Sequence, residues 1–401
     1  MNPWRALEAS AVQIADRLNR DLAELDRQSQ LRSLEPPQSV DCSSNDYLGL
    51  ACDARIKQAV AAALASSEFV AATGSRLLSG NSERWMALES DFARFAGADA
   101  ALYFTSGYLA NVGLLSSLLQ VRDIVFSDSA NHASLIDGMR LSKARRVVFP
   151  HLDLRFLENA LRAAPADGER FIVVESVFSM EGDFAPLAEL SRLAERYEAG
   201  LIVDEAHAVG VFGPHGRGLV AEAGLSQRVL ATIFTCGKAL ASSGAFVCGS
   251  ETLRSYMINR ARTFIFSTAL PPYFAAHVRA GFELASRADA ERARVLGLAH
   301  FLRAELQREG LEVPAGTSPI VPVILGDNER AMRVAQRLCA AGFGVRAIRP
   351  PTVPEGTARL RLSVTARHTE SVLSELASGI AAACRDEARR NSDGTMAPVR
   401  N

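Results

Sequence analysis

Short apolar runs and longer amphipathic stretches alternate along this chain of 401 residues. Residues 4–34 set Leu7, Val12, Ile14, Leu18, Leu22 and Leu25 at helical spacing among charges, which predicts an amphipathic helix ended by Pro36-Pro37. Further helices are expected at 53–66 and 82–96. From Ala100 the period changes. Apolar runs at 101–104, 124–126, 146–149, 171–174, 201–203, 231–234, 245–248 and 264–266 are short and rich in β-branched or aromatic residues. Helical stretches at 107–120, 133–142, 153–163 and 186–198 separate several of them. Strand–helix alternation of this kind predicts an α/β fold with a mainly parallel sheet covered on both faces.

Pro271-Pro272 marks a break before an Ala/Arg-rich helical region at 273–308. Strands at 319–325, 345–348 and 358–364, with helices at 328–341 and 369–388, then predict a smaller C-terminal α+β unit. The expected division is an N-terminal helix and linker over 1–50, a large domain over 51–285 and a small one over 286–390. The polar stretch 391–401 is expected to be a disordered tail.

Composition narrows the function classes. Charged residues make up 22% and the net charge is -1, which argues against a nucleic-acid or membrane-surface partner. No apolar run approaches the ~20 residues that span a bilayer. Met1 to Arg20 lacks the uninterrupted apolar core of a secretory signal. Six cysteines without a C-x-x-C pair suit reduced thiols in a cytoplasmic enzyme better than disulfides or a zinc site. No metal is expected.

Candidate chemistry concentrates where apolar runs end. Leu201-Ile202-Val203 stops at Asp204-Glu205-Ala206-His207, and Ala231–Phe234 closes on Thr235-Cys236-Gly237-Lys238. Lys238 is one of only three lysines, with Lys57 and Lys143, so a lysine placed after a buried strand is a candidate imine-forming amine. The Asp-Glu-Ala-His string also matches a helicase box, but that chemistry needs an upstream G-x-x-x-x-G-K-[ST] loop. The chain's Gly237-Lys238 lies downstream and is followed by Ala239, so the helicase reading fails. Three further run ends carry polar groups: Thr105-Ser106-Gly107-Tyr108 before a helix, Asn131-His132, and Glu175 to Asp183. In open α/β sheets, ligands bind at the carboxyl ends of strands. A phosphate cradle, a ring-facing histidine, an acid–histidine pair and a lysine together are what pyridoxal phosphate requires.

The chain resembles the α-oxoamine synthases, fold-type I pyridoxal-phosphate transferases that condense an amino acid with an acyl thioester and release carbon dioxide. The resemblance covers about residues 20–385. It is carried by Ser43-Ser44-Asn45-Asp46-Tyr47-Leu48-Gly49-Leu50, Asn131-His132-Ala133-Ser134, Val177-Phe178-Ser179-Met180-Glu181-Gly182-Asp183, Asp204-Glu205-Ala206-His207, Thr235-Cys236-Gly237-Lys238 and Phe266-Ser267-Thr268-Ala269-Leu270-Pro271-Pro272. It implies that Lys238 forms the imine and serves as base, that Asp204 pairs with the ring nitrogen, and that His207 and Ser179 bond the phenolic oxygen. It implies that His132 stacks on the ring, that Gly107, Tyr108 and Thr235 hold the phosphate, and that Thr268 reaches in from the second subunit of a homodimer. Arg361 would take the amino-acid carboxylate, with Arg32, Asn45, Glu175 and Thr352 near the substrate. Ala347–Pro354 and Gly356–Arg361 are most similar to members that use L-alanine and a pimeloyl thioester, on coenzyme A or a carrier protein. Trp85 stands where relatives often have histidine.

Overall fold

The computed structural model describes residues 3–394 apart from 35, 37 and 166. Twelve strands occur among them: β1 (Val40–Asp41), β2 (Ala100–Phe104), β3 (Ile124–Asp128), β4 (Arg145–Phe149), β5 (Arg170–Glu175), β6 (Ala199–Asp204), β7 (Ala231–Thr235), β8 (Ala245–Gly249), β9 (Ile320–Gly326), β10 (Phe343–Gly344), β11 (Ala347–Ile348) and β12 (Ala358–Ser363). Seven of them build the main sheet in the order β2-β8-β7-β6-β5-β3-β4. Neighbours from β4 through β7 are parallel, while β8 runs antiparallel to both β7 and β2. Strand β2 therefore points the same way as the parallel strands, and one edge of the sheet gathers most of the strand carboxyl ends.

The continuous apolar runs follow from burial on both faces. Along β5, Val173 packs into one core, with Leu114 and Met139 from helices Gly107–Leu118 and Ala133–Ser142. Its neighbours Ile172 and Val174 face the opposite core, with Leu157 and Leu190 from helices Leu154–Arg162 and Leu187–Arg196. This is the period-two alternation of a strand, made apolar on each side because helices cover both. A third core joins β2 and β8 to the C-terminal elements. There Phe92 stacks on Phe246 with ring centroids 3.9 Å apart. Trp85 is buried in that core and stacks on Tyr103 at 4.5 Å. Strands β11, β12 and β9 form a separate antiparallel sheet, and β1 pairs with β10.

Four boundaries differ from the sequence pattern. The first helix ends at Arg27 rather than near 34, because Ser29 takes a left-handed φ of 53° and Gln30 N–H closes back on the Leu25 carbonyl. The run 264–266 is not a strand: Arg262–Ile265 is one helical turn. Its apolar Phe264 is buried against Phe104, and the Thr263 hydroxyl donates to the Leu109 carbonyl at 2.7 Å. The helical region 273–308 is two helices, Phe274–Ser286 and Asp289–Arg308. The Arg292 guanidinium donates to the Ala285 and Ser286 carbonyls at the break. The last helix, Glu370–Gly394, continues into the expected tail, and 395–401 lie outside the described residues.

Candidate active site

The carboxyl ends of β2, β3, β5, β6 and β7 converge with the start of β8 on a cavity of about 300 Å³. Asn45, Gly107, Tyr108, His132, Glu175, Asp204, His207, Thr235 and Lys238 all line it. Each arrives for a local reason. Ser106 caps the helix Gly107–Leu118, accepting from Leu109 N–H at 3.2 Å, so the first N–H groups of that helix open on the cavity. A Cβ on Gly107 would meet the Thr235 methyl at 2.6 Å, so a glycine is what lets the helix start against β7. His132 in turn caps helix Ala133–Ser142. Asp204 ends β6 directly beside Glu175 of β5.

Electrostatics separate the roles. Burial lowers the Lys238 pKa, outweighing the opposing pull of Asp204 and Glu175, so a larger fraction of the amine is neutral and nucleophilic. Desolvation likewise keeps His207 well below its ordinary value, with Lys238 and Arg361 adding to the shift. His132 is lowered too, chiefly by desolvation. Both imidazoles are therefore neutral near pH 7. Burial pushes Glu175 well above the usual carboxylate range, and the Asp204 charge adds to this. Its two oxygens accept from the N–H groups of His132, at 2.6 Å, and Ser179, at 3.2 Å. Glu175 thus ties two cavity loops together.

Asp204 Oδ1 accepts from Ala206 N–H at 2.9 Å and Oδ2 from Asn111 Nδ2 at 2.7 Å, which leaves lone pairs for a cationic ring nitrogen. Arg361 is buried. Its Nε donates to the Ser179 carbonyl at 2.5 Å, Nη1 to Ser363 Oγ at 2.8 Å and Nη2 to Asn45 Oδ1 at 3.0 Å. A helix N-terminus with the Thr235 hydroxyl, a carboxylate and an amine in one cavity fit the phosphate, ring nitrogen and aldehyde of pyridoxal phosphate.

Other expected residues stand outside this cavity. Ser179 is held beside it by its backbone bonds to Glu175 and Arg361. Thr268 is exposed and lines a small cleft with Arg76 and Trp85. Thr352 is exposed, and Arg32 lines a different cavity of about 500 Å³ beside Arg349. The sequence reading gave no role to Asn111, Ser134, Ser243 and Gly244, which line the cavity, or to Tyr47, which bonds His207. Asn111 is a single amide on an otherwise apolar helix face, a signal that could have marked it. Tyr47 and Ser134 lay inside strings already singled out.

Residues 37–380 match the family described as aminotransferase class I and II. An 8-amino-7-oxononanoate synthase of Lysinibacillus sphaericus is 43% identical over 327 residues, 82% of this chain and 84% of that protein. One from Azoarcus sp. (strain BH72) is 43% identical over 379 residues, 91% of this chain and 96% of its own. Among solved structures, Sphingomonas wittichii serine palmitoyltransferase superposes with a TM-score of 0.82 at 32% identity, covering 86% of this chain and 87% of that one. The 8-amino-7-oxononanoate synthase of Francisella tularensis gives 0.76 at 30% identity, covering 87% and 98%. This chain belongs to the class I and II aminotransferase family, in its α-oxoamine synthase branch, and is a fold-type I acyltransferase whose cofactor is pyridoxal phosphate.

Proposed function

We propose that the protein is an 8-amino-7-oxononanoate synthase, which joins L-alanine to a pimeloyl thioester, releasing the thiol and carbon dioxide in a step of biotin synthesis. The observation that carries this reading is Arg361. Its guanidinium does not itself line the cavity: it is pinned by Ser179 and Ser363 and donates to Asn45 Oδ1, which does, so a fixed cation stands one residue back from the space, for an amino-acid carboxylate. Pyridoxal phosphate, when bound, supplies an electron sink that makes the amino acid's α-carbon acidic. Gly107, Tyr108 and Thr235 would hold its phosphate, Asp204 would keep the ring nitrogen protonated, and His207, with Ser179 reaching in from beside the cavity, would bond the phenolic oxygen. Lys238 would hold the cofactor at its aldehyde carbon, and its Nζ would be the group that takes the amino acid's α-proton. His132 would cover the ring face and orient the incoming thioester.

Thr268 completes the site of a second copy in this reading. Its place outside the cavity supports a homodimer, as do the exposed apolar side chains of Phe69, Val70, Leu78 and Phe266. Arg32 and Thr352 serve the acyl chain, and the chain divides into a large unit over 51–285 and a small one over 286–390 that brings Arg361. Among the described residues no helix is long and apolar enough to cross a membrane; the cytoplasmic location belongs to this reading and rests on the unpaired cysteine pattern.

A second reading, a sister synthase using serine or glycine, is favoured by the serine palmitoyltransferase folds. Free-thiol release by the purified holoenzyme separates the two, with alanine, serine and glycine each offered against pimeloyl- and palmitoyl-coenzyme A. Alanine-dependent release from the pimeloyl donor is expected. Preference for serine or glycine, or for the palmitoyl donor, overturns the proposal, and release with no pair points to a non-catalytic partner subunit.

A further inference from the structure

Asn111 and Ser134 are fully buried polar groups that the proposed reaction leaves without a task. They form one chain of hydrogen bonds between two residues that have one. Asn111 Nδ2 lies 2.7 Å from Asp204 Oδ2 and 2.9 Å from Ser134 Oγ, and Ser134 Oγ lies 2.8 Å from His132 Nδ1. We infer that Asn111 and Ser134 are positioning residues that hold His132 as the tautomer protonated on Nε2, and that the Asp204 carboxylate dictates that choice. The inference rests on the cavity being the cofactor site and deepens it.

The direction of every bond follows from donor counting. An amide turned the other way would set Asn111 Oδ1 against Asp204 Oδ2 at 2.7 Å, acceptor against acceptor, so the carboxylate fixes the amide with its NH2 group inward. The Oδ1 atom, turned away, is buried without a hydrogen-bond partner among the described residues. Both amide hydrogens are then used, one on Asp204 and one on Ser134 Oγ. The Ser134 hydroxyl, which could accept a second time, turns its own hydrogen to His132 Nδ1 because that nitrogen already accepts elsewhere. The backbone N–H of Ser134 points at the same nitrogen from 3.2 Å. Nδ1 is therefore an acceptor with two donors, and a neutral ring carries its hydrogen on Nε2. The lowered pKa of His132 agrees with a neutral ring. The nitrogen left for the cavity is a donor, suited to a carbonyl or carboxylate oxygen of a substrate. Asp204 thereby acts on two partners at once, the ring nitrogen directly and His132 through two side chains.

The test is nitrogen NMR of the holoenzyme labelled with 15N-histidine, the His132 signals being assigned by their loss in His132→Asn. The wild type should show an unprotonated Nδ1 and a protonated Nε2. Ser134→Ala and Asn111→Leu should mix the tautomers and lower kcat by roughly tenfold or more, the usual effect of losing a group that orients an imidazole, with KM for the amino acid little changed. Ser134→Thr, which keeps the hydroxyl, should restore both readouts. A wild-type tautomer in Ser134→Ala and Asn111→Leu overturns the inference, as does a threonine variant no better than alanine. If Asn111→Leu does not fold, the Ser134 pair decides alone. A protein showing these tautomers but releasing thiol from no donor would overturn the proposed reaction and leave the hydrogen-bond chain standing.

Discussion

The hydroxyl of Tyr47 lies 2.7 Å from Nδ1 of His207, although 160 positions separate the two in the chain. The same oxygen is 3.1 Å from Asn45 Oδ1, which also receives Arg361. Tyr47 is buried, so no solvent can replace it, and it fixes which nitrogen of His207 faces the cavity.

Tyr47→Phe removes that control and little volume. Nδ1 of a buried, neutral imidazole then loses its partner, at about 1–3 kcal/mol. The variant should fold, melt at a somewhat lower temperature, bind cofactor with an altered visible absorption and turn over more slowly. Thermal melting and absorption spectra of the holoenzyme check this. An unchanged spectrum and unchanged kcat would show that His207 is oriented by something else.

Glu175→Gln is nearly isosteric, yet it should be more damaging than a surface change. Both Glu175 oxygens accept from backbone N–H groups, of His132 and Ser179. An amide offers one acceptor and turns its NH2 group on the other N–H, leaving a buried donor unmatched at about 1–3 kcal/mol. The His132 and Ser179 loops should loosen together, seen as faster amide hydrogen exchange at both. Wild-type exchange and activity in Glu175→Gln would mean that the carboxylate is not the tie.

The sequence pattern made the sheet legible because strands buried on both faces read as continuous apolar runs, and residues directly after such runs must collect at one edge. That rule brings Asp204, His207, Thr235 and Lys238 to one cavity, where the structure has them. Strand order and register leave no such mark, so the adjacency of Glu175 to Asp204, and hence its loop-tying role, appeared only in the structure. Phe264 misled because three apolar residues satisfy a short strand and one helical turn equally; the choice was made by packing on Phe104. Asn111 and Tyr47 act through partners 93 and 160 positions away, distances over which no local pattern speaks. Arg32 and Thr352, expected near the substrate, were carried by resemblance alone, and in the single chain neither lines the central cavity.

Lys238→Ala tests the amine on which the site turns. With burial lowering its pKa, Lys238 should bind the cofactor's aldehyde covalently at neutral pH. The alanine variant should lose the visible band of the bound cofactor, release cofactor on dialysis and show no thiol release, while melting cooperatively. Retention of a wild-type band after dialysis would place the covalent link elsewhere.

His151 offers a prediction in pH. Its Nδ1 lies 2.8 Å from Asp128 Oδ1 and its Nε2 3.0 Å from Asp183 Oδ2, joining the loop that leads to His132 with the loop that carries Ser179. Burial opposes a charge on the ring, but the two carboxylates outweigh it and push the pKa from 6.5 up to about 10. The folded state then holds a proton that the unfolded state releases between those values, so stability falls as pH rises through that window. The contribution is present in full below about 6.5 and gone above about 10. His151→Gln, which cannot carry the charge, should melt below the wild type at pH 6, and the gap should close steadily toward pH 10. Paired melting curves across that range, read with the cofactor bound, measure it. A gap that stays constant with pH would mean that His151 supports the two loops through packing on Phe178, whose ring centroid is 4.4 Å away, rather than through its charge.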